Sequence, residues 1–212
     1  MSFYDKYILP SFLNCACGAK PILYQRGKVV PLAAGLVLEV GIGSGLNIPF
    51  YMADKVSKVI GLDPSPELNE MAEKVVAKTA AENGLDVEII LGSAEEMPFP
   101  DDYFDSVVIT YTLCTIPNAE AANREIQRVL KPGGKLIFCE HGLAPDAGVA
   151  KWQGRIDPFW GKIAGGCHLN RDIPELIKSA GFRFENIEQM YLPSTPKFAG
   201  YNYWGVAVIG ES

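Results

Sequence analysis

The sequence predicts a single α/β domain built around a mostly parallel sheet. From residue 36 onward, short apolar runs alternate with helical patterns, and the links between them are short. This alternation is typical of parallel strands joined by right-handed crossovers. A length of 212 residues fits one ordinary domain, and 48% hydrophobic against 21% charged residues is a globular composition. Intrinsic disorder is therefore excluded for the bulk of the chain.

Seven short runs are predicted strands. The first, Leu36 to Val40, is apolar apart from one glutamate and is stopped by Gly41, which is typical of a strand buried on both faces. The second ends at Asp63-Pro64. The predicted strands cover residues 36–40, 56–62, 87–91, 106–110, 135–139, 184–191 and 201–209.

Two predicted helices carry clear start signals. Ser65 is a good N-cap, and Pro66 follows at the first helical position, where its missing N–H costs nothing. Residues 68–79 then place apolar side chains at the helical spacing of three and four. Asn118 is the predicted cap of the second helix. Residues 131–134, Lys-Pro-Gly-Gly, suit a type II turn that ends this helix before the fifth strand.

Two segments depart from the alternation. Residues 1–34 precede the first strand, look mostly helical, and are expected to form a cap across the ligand end of the sheet. Residues 141–169 carry two tryptophans and several glycines with no clean period, so we expect an inserted lid or pocket wall. A helix is predicted over residues 173–180. Residues 1–212 together are predicted to form one domain.

Charge and cysteine usage narrow the partners. A net charge of −6 without a Lys/Arg run makes nucleic acid an unexpected partner. No run approaches the ~20 apolar residues of a transmembrane segment, and the start of the chain lacks a signal-peptide pattern. Five cysteines are an odd count, which favours free thiols in a reducing cytoplasm. Nothing in the sequence indicates an oligomeric state.

A glycine-rich loop after the first strand is the most informative stretch. Gly41, Gly43 and Gly45 permit a tight turn and a close approach to a ligand in the crevice beyond the strand ends. We expect a helix to follow. A dinucleotide pattern would need glycine at Leu46, and the Walker pattern is also missing. Glu39, two positions before the first glycine, suits a cation such as an amino acid's ammonium.

Polar residues at the ends of the next two strands extend this site. Asp63 ends the second strand, where a carboxylate can accept hydrogen bonds from both ribose hydroxyls of an adenosine. Ser93, Ala94 and Glu95 follow the third strand, where they are placed to meet an adenine edge. The sequence therefore predicts a distributed pocket for an adenosine joined to an amino acid.

These motifs occur together in one family. The segments 39–47, 92–99, 104–105 and 130–136, together with Asp63, resemble the signature of class I S-adenosylmethionine-dependent methyltransferases. The resemblance covers about residues 36–140. It implies a Rossmann-like, doubly wound sheet of seven strands whose last strand is antiparallel. It also implies S-adenosylmethionine as cofactor and S-adenosylhomocysteine as product.

The resemblance assigns a set of cofactor-binding residues. One departure is Ser93, where many members carry an acidic residue for the adenine amino group, and Glu95 or water would take that part. The implied residues are Glu39, Gly41, Gly43, Gly45, Asn47, Asp63, Pro64, Ser93, Ala94, Glu95 and Thr110.

A narrower resemblance covers the rest of the chain. The segments 107–116, 139–141, 157–160 and 166–171 and Trp152 resemble the small methyltransferase-like proteins that methylate alkyl thiols. Animal members of that branch carry an N-terminal membrane anchor, whereas this sequence offers only a short apolar stretch near its start. The resemblance implies a small-molecule methyl acceptor, with an alkyl thiol as the leading candidate.

Candidate residues for the acceptor side carry two interpretations each. Methyl transfer is an in-line displacement that depends on alignment, and acceptors other than thiolates need a base. His141 is the candidate base, or it holds the lid to the core. The aromatic candidates either form a wall of the acceptor pocket or simply pack within the lid. Cys114 is interpreted as a small apolar part of the pocket wall. The acceptor-pocket candidates are Tyr4, Tyr7, Tyr111, Cys114, Trp152 and Trp160.

Other functions remain open at this point. Cys15, Cys17, Cys167 and His168 match no recognised tetrahedral spacing, so no metal is expected. Within the same class, the acceptor is alternatively a phospholipid head-group amine or a quinone. From other classes, the alternatives are a non-catalytic S-adenosylmethionine binder and a nicotinamide oxidoreductase, against which Leu46 argues.

Overall fold

A seven-stranded sheet forms the centre of the computed structural model, which describes residues 3–210 apart from the side chains of residues 5 and 6. The strands are β1 (Gly35–Val40), β2 (Val56–Asp63), β3 (Val87–Leu91), β4 (Phe104–Thr110), β5 (Leu130–His141), β6 (Phe182–Tyr191) and β7 (Tyr201–Ile209). Their order is β3-β2-β1-β4-β5-β7-β6. Strand β7 runs antiparallel to β5 and β6, and the other neighbours pair in parallel. The predicted fold class is confirmed.

Helices cover both faces of the sheet. They are α1 (Phe3–Tyr7), α2 (Leu9–Cys17), α3 (Lys20–Val29), α4 (Pro66–Asn83), α5 (Ala119–Val129), α6 (Ala147–Ile163), α7 (Ile173–Ser179) and α8 (Lys197–Gly200). Both predicted caps are present: Ser65 Oγ accepts from the N–H of Leu68 at 3.2 Å, and Asn118 Oδ1 from that of Ala121 at 3.0 Å. These bonds satisfy amide groups that a helix start otherwise leaves free.

The sheet separates two apolar cores. Successive side chains of a strand point to opposite faces, so Leu38 packs into one core and Val37 into the other. The same alternation places Ile109 and Val108 of β4 on opposite sides, and all four are fully buried. Because the strand order reverses between β1 and β4, a crevice opens beyond their carboxyl ends, where ligands bind in such sheets.

The segment after the glycine loop corrects one expectation. No α-helix follows the loop, since the chain makes only a short 3₁₀ turn, Ile48–Phe50, before β2. Tyr51 then adopts an extended conformation, and its hydroxyl donates to Glu39 Oε2 at 2.8 Å. The helical turn therefore ends after three residues, and the buried Tyr51 side chain is fixed against Glu39.

The approach to β5 corrects a second expectation. The strand begins at Leu130, which pairs with Phe104, and regular pairing resumes at Lys135 opposite Ser106. The intervening Pro-Gly-Gly segment contains Gly133 with φ +77°, a conformation that favours glycine. Residues 131–134 therefore lie within the strand as an irregularity, and the positive φ of Gly133 is the one that the predicted type II turn requires at its third residue.

The predicted lid segment contains a regular helix that the sequence pattern did not reveal. Helix α6 includes Pro158 and three glycines, which are poor helix formers, and much of its apolar side-chain surface is exposed. Its anchor is polar: Gln153 is fully buried, accepts from the N–H of Ala144 at 2.9 Å, and donates to the carbonyls of Gly142 and Phe198 at 3.0 Å. Because the proline and the glycines interrupt the sequence pattern of a helix, the sequence did not reveal this one.

Helix α2 lies at the ligand end of the sheet, where its residues line the crevice. The predicted cap over residues 1–34 stays a prediction. Residues 1 and 2 of that predicted cap and the last two residues of the predicted domain lie outside the described residues. Within residues 3–210, no helix combines the length and the apolar character that crossing a membrane requires.

Candidate functional site

A cavity of about 330 Å³ occupies the crevice. Its floor is formed where β1, β2 and β4 end, by the glycine loop, Asp63 and Thr110. Its roof comes from α2, which contributes Leu9 and Leu13. The cavity therefore lies at the carboxyl ends of these strands, between the glycine loop and α2.

The three glycines of the loop differ in the space around them. Gly41, Gly43 and Gly45 have φ values of +71°, +56° and +81°. A Cβ on Gly41 would lie 2.3 Å from Thr112 Cγ2, and one on Gly45 would lie 2.8 Å from Ile48 Cδ1. Gly43, in contrast, lines the cavity and has no atom closer than 3.9 Å to an added Cβ. The loop therefore keeps its backbone bare on the cavity side.

Asp63 is held rigidly at the end of β2. Its Oδ2 accepts from the N–H of Gly43 and its Oδ1 from that of Ser65, both at 2.9 Å. Burial raises the pKa of this carboxyl above its usual value, although the two amide bonds oppose the shift. A fixed carboxylate at the cavity edge with lone pairs to spare suits two adjacent hydroxyls.

Arg26 of α3 is a site residue that sequence reasoning missed. Its guanidinium is buried, lines the cavity, and lies 5.1 Å from the ring centroid of Tyr111. Nη1 donates to Asn47 Oδ1 at 2.7 Å and to Thr110 Oγ1 at 2.5 Å, while Nε has no partner among the described residues. No motif marks this arginine, because it lies outside the strand ends and reaches the site only through packing.

Glu39 and Asn47 lie beneath the cavity rather than on its surface. Glu39 Oε1 accepts from Asn47 Nδ2 at 3.0 Å, and burial raises the pKa of Glu39 to about 7. Asn47 also donates to Thr110 Oγ1 at 2.9 Å. Neither side chain is among those that line the cavity. Direct contact of Glu39 with an ammonium group stays a prediction, and its visible role is to anchor the Arg26 network.

The predicted adenine side is more open. Pro64, Ser93, Ala94 and Glu95 all line the cavity, as the motif implies. Ser93 Oγ accepts from the N–H of Glu95 at 3.1 Å, and Glu95 Oε1 accepts from that of Asn118 at 2.6 Å. Glu95 therefore braces the start of α5 as well as facing the cavity.

Comparison with known proteins identifies the family. A model of the methyltransferase domain matches residues 38–138. Thiol S-methyltransferase TMT1B of Rattus norvegicus is 37% identical over 173 residues, covering 77% of this chain and 68% of that protein. The chain belongs to the class I S-adenosylmethionine-dependent methyltransferases. Human thiol S-methyltransferase TMT1A is 33% identical over 177 residues, covering 81% of this chain and 70% of that protein.

The fold of this methyltransferase agrees with that of solved structures. A crystal structure from Bacillus halodurans C-125 matches with a TM-score of 0.70 at 20% identity, covering 89% of this chain and 99% of that one. The methyltransferase uses S-adenosylmethionine, with S-adenosylhomocysteine as product, and acts on a small-molecule acceptor. The cavity fits that cofactor, since it offers a fixed carboxylate, a bare glycine loop and a buried cation with an unpartnered Nε.

The aromatic candidates of the methyltransferase do not gather into one wall. Tyr111 lines the cavity, whereas Tyr4 donates from its hydroxyl to the carbonyl of Ile163 at 2.5 Å. Tyr7 is exposed, and the side chain of Trp152 is 59% exposed. Trp160 packs against Cys114 and Cys167 behind the cavity. Of this set, the structure therefore brings only Tyr111 to the cavity lining.

His141 lies in a compact group with two cysteines, outside the cavity lining. Its Nε2 is 3.2 Å from Cys167 Sγ, and the sulfur of Cys114 lies within 4.8 Å of both atoms. Burial alone lowers the pKa of His141, but the bond to Cys167 and the nearby charges outweigh it, so the net shift is upward. The role of base stays a prediction for a histidine in this position.

The remaining zinc candidates from the sequence lie apart. His168 Nδ1 is 2.9 Å from Asp157 Oδ2, and the N–H of Leu169 donates to Oδ1 of the same carboxylate. Cys15 is exposed on α2, while Cys17 lines the cavity. The combination of Cys15, Cys17, Cys167 and His168 is therefore not brought together around one point.

Proposed function

We propose that this enzyme methylates the sulfur of an alkyl thiol. The observation that carries the proposal is the charge pattern of the cavity: among the lining residues in the described part of the chain, only Arg26, Asp63 and Glu95 are charged. Asp63 and Glu95 already accept backbone N–H groups, and Arg26 is a cation, so these described residues offer no histidine or lysine as a base. Amines and hydroxyls need a base, whereas a thiol is several pKa units more acidic than an alcohol and reacts as its thiolate without one.

The relatives support the same acceptor. The proteins at 37% and 33% identity are named as thiol S-methyltransferases, and each aligns over more than three quarters of this chain. That span includes residues beyond the cofactor motifs, where acceptor selection resides in this type of fold.

The chain's own residues position the reactants. S-adenosylmethionine supplies, when bound, a sulfonium methyl carbon that an acceptor lone pair takes by in-line displacement. We propose that Asp63 accepts the ribose hydroxyls and that the bare backbone at Gly43 allows close approach. Arg26 would bind the methionine carboxylate, since it is the one guanidinium among the residues that line the cavity.

Apolar side chains enclose the rest of the cavity. Leu9 and Leu13 of α2 face Ile116 and Pro117 across it. An apolar enclosure excludes water, which makes a thiolate more reactive and favours an alkyl over a charged acceptor. The proposed acceptor is therefore a small, uncharged alkyl thiol.

We further propose that the N-terminal segment and the α6 region form the two sides of the acceptor entrance within one domain. Leu9 and Leu13 approach Gly165, and Tyr4 donates to the carbonyl of Ile163. These contacts support the predicted cap at 1–34 and wall at 141–169. Five free cysteines support a reducing, cytoplasmic location as part of the proposal.

A panel of acceptors tests the proposal. Purified enzyme with S-adenosylmethionine is offered a simple alkyl mercaptan, hydrogen sulfide, phosphatidylethanolamine vesicles and a quinol, and S-adenosylhomocysteine release is measured. We expect turnover with the mercaptan that rises as pH increases toward the thiol pKa. Turnover with only the lipid or only the quinol would identify that compound as the acceptor in place of the thiol. Tight cofactor binding without turnover on any member would indicate a non-catalytic binder.

A further inference from the structure

Three metal-ligating side chains converge behind the cavity. The donor atoms of Cys114, His141 and Cys167 all lie within 4.8 Å of one another, and both cysteines are buried. They come from three separate segments: the link after β4, the last residue of β5, and the link between α6 and α7. We call these three residues the Cys-His-Cys cluster. Neither the fold nor the proposed methyl transfer accounts for them.

The spacing is close to what a tetrahedral ion requires. With Zn–S bonds of about 2.3 Å and Zn–N bonds of about 2.0–2.1 Å, neighbouring donors stand roughly 3.5–3.8 Å apart. The distance from His141 Nε2 to Cys167 Sγ is 3.2 Å, and no pair in the cluster exceeds 4.8 Å. Side-chain shifts of about 1 Å or less therefore suffice to bring all three donors to one ion.

The donor chemistry selects the kind of ion. Two sulfurs and an imidazole nitrogen are soft to borderline ligands, which suit Zn²⁺ rather than Ca²⁺ or Mg²⁺. The imidazole has no other polar contact, because His141 Nδ1 is buried without a partner among the described residues.

A buried acidic side chain adjoins the cluster. The buried carboxylate of Glu140 lies next to His141 in the chain, and its Oε1 accepts from the N–H groups of Thr112 and Leu113, immediately before Cys114. Oε2 of the same carboxylate is buried without a partner among the described residues. Two thiolates around a dication form a neutral unit, which costs less to bury than an isolated charge.

We propose that Cys114, His141 and Cys167 bind one soft divalent cation, with Zn²⁺ as the first candidate. Three protein donors leave the fourth tetrahedral position to an exchangeable ligand such as water, as at open zinc sites. The ion would join the ends of β4 and β5 to the α6–α7 link. It would therefore stabilise the folded chain, since a site assembled only on folding transfers its binding free energy to stability.

Metal content of the whole chain tests the proposal. The enzyme is expressed without a histidine tag, reduced, loaded with Zn²⁺, freed of excess metal and analysed by mass spectrometry of the elements. We expect about one zinc per chain, and a large loss of zinc in Cys114→Ser, Cys167→Ser and His141→Gln. Cys15→Ser, at an exposed cysteine outside the cluster, is the matched control and should retain the ion.

Two further measurements keep the test informative if a variant fails to fold. Wild-type enzyme reconstituted with Co²⁺ should show thiolate-to-cobalt charge-transfer absorption and the intense visible bands of tetrahedral cobalt. Its melting temperature should fall on adding a chelator and recover with Zn²⁺.

Cys17→Ser should keep the metal, because Cys17 is not one of the three donors. Loss of metal in that variant would overturn the three-donor set.

The opposite results are equally clear. No bound metal under reducing conditions, or equal metal in wild type and all three cluster variants, would mean an adventitious ion only and would overturn the proposal. This outcome is distinct from failure of the proposed function, since metal content is measured without an acceptor. A metal-free enzyme that methylates thiols would overturn only the proposed metal site. A zinc-loaded enzyme that is inactive on thiols would overturn only the proposed thiol acceptor.

Discussion

The cofactor site and the Cys-His-Cys cluster behind it are built by different means. The cofactor site consists of short contiguous stretches at strand ends, with the glycine loop after β1 and Asp63 at the end of β2. The cluster consists of single residues from distant segments, Cys114, His141 and Cys167. Cofactor recognition is therefore written in local sequence, whereas the Cys-His-Cys cluster exists only once the chain is folded.

The two sites also differ in the groups that form them. The cofactor site depends largely on the backbone, through the amide groups held by Asp63 and the positive φ values of the glycines. The Cys-His-Cys cluster consists of side-chain donors with few polar partners. Substitutions at the cofactor site should therefore act through backbone strain, and substitutions in the cluster through the loss of a side-chain donor.

The largest expected effect comes from the glycine loop. Gly41→Ala would place a Cβ 2.3 Å from Thr112 Cγ2 at a φ of +71°, so we expect a loss of roughly 4 kcal/mol in the free energy of unfolding. Gly43→Ala meets only open cavity and should cost about 1 kcal/mol while weakening cofactor binding. Denaturant unfolding and calorimetry measure the two effects. Equal stability losses would show that the two glycines share one role.

The second effect is a pH dependence from the buried carboxyl beneath the cofactor site. Burial raises the pKa of Glu39 from 4.5 to about 7, so the folded state holds this proton more tightly than the unfolded state. Its contribution to stability is full below pH 4.5 and is lost as the pH rises through 7, by about 3 kcal/mol. Glu39→Gln should make that part of the unfolding profile less steep without flattening it, because burial also raises the pKa of Glu140 to about 7. Glu73→Gln on the exposed face of α4 should leave the profile unchanged. An unaltered profile in Glu39→Gln would place the titration elsewhere.

The same contrast explains what the sequence could and could not predict. Strand ends carry their signal locally, so residue patterns alone predict the sheet and both helix caps, and the predicted residues Asp63, Ser93 and Glu95 lie on the cavity lining. Arg26 was missed because its position in the site depends on how α3 packs. Helix α6 was missed because Pro158 and three glycines interrupt its sequence pattern, whereas the buried hydrogen bonds of Gln153 that anchor it leave no local signal.

The third effect separates the parts of the cofactor. If Arg26 binds the methionine carboxylate, Arg26→Met should weaken S-adenosylhomocysteine binding about 30-fold, or about 2 kcal/mol, measured by calorimetry. Binding of 5′-methylthioadenosine, which lacks that carboxylate, should change little. Lys28→Met, an exposed cation on the same helix, is the control. Equal losses for both ligands would mean that Arg26 only supports Asn47 and Thr110.

The smallest effect concerns the aromatic wall that the sequence predicts. Trp152 is 59% exposed and outside the cavity lining, so Trp152→Ala should leave the KM for an alkyl thiol within about twofold. Leu13 lines the cavity from α2, so Leu13→Ala should raise that KM about tenfold through lost apolar contact. Steady-state kinetics on one mercaptan measure both. A larger rise in KM for Trp152→Ala than for Leu13→Ala would place the acceptor site on the outer face of α6 rather than in the strand-end cavity.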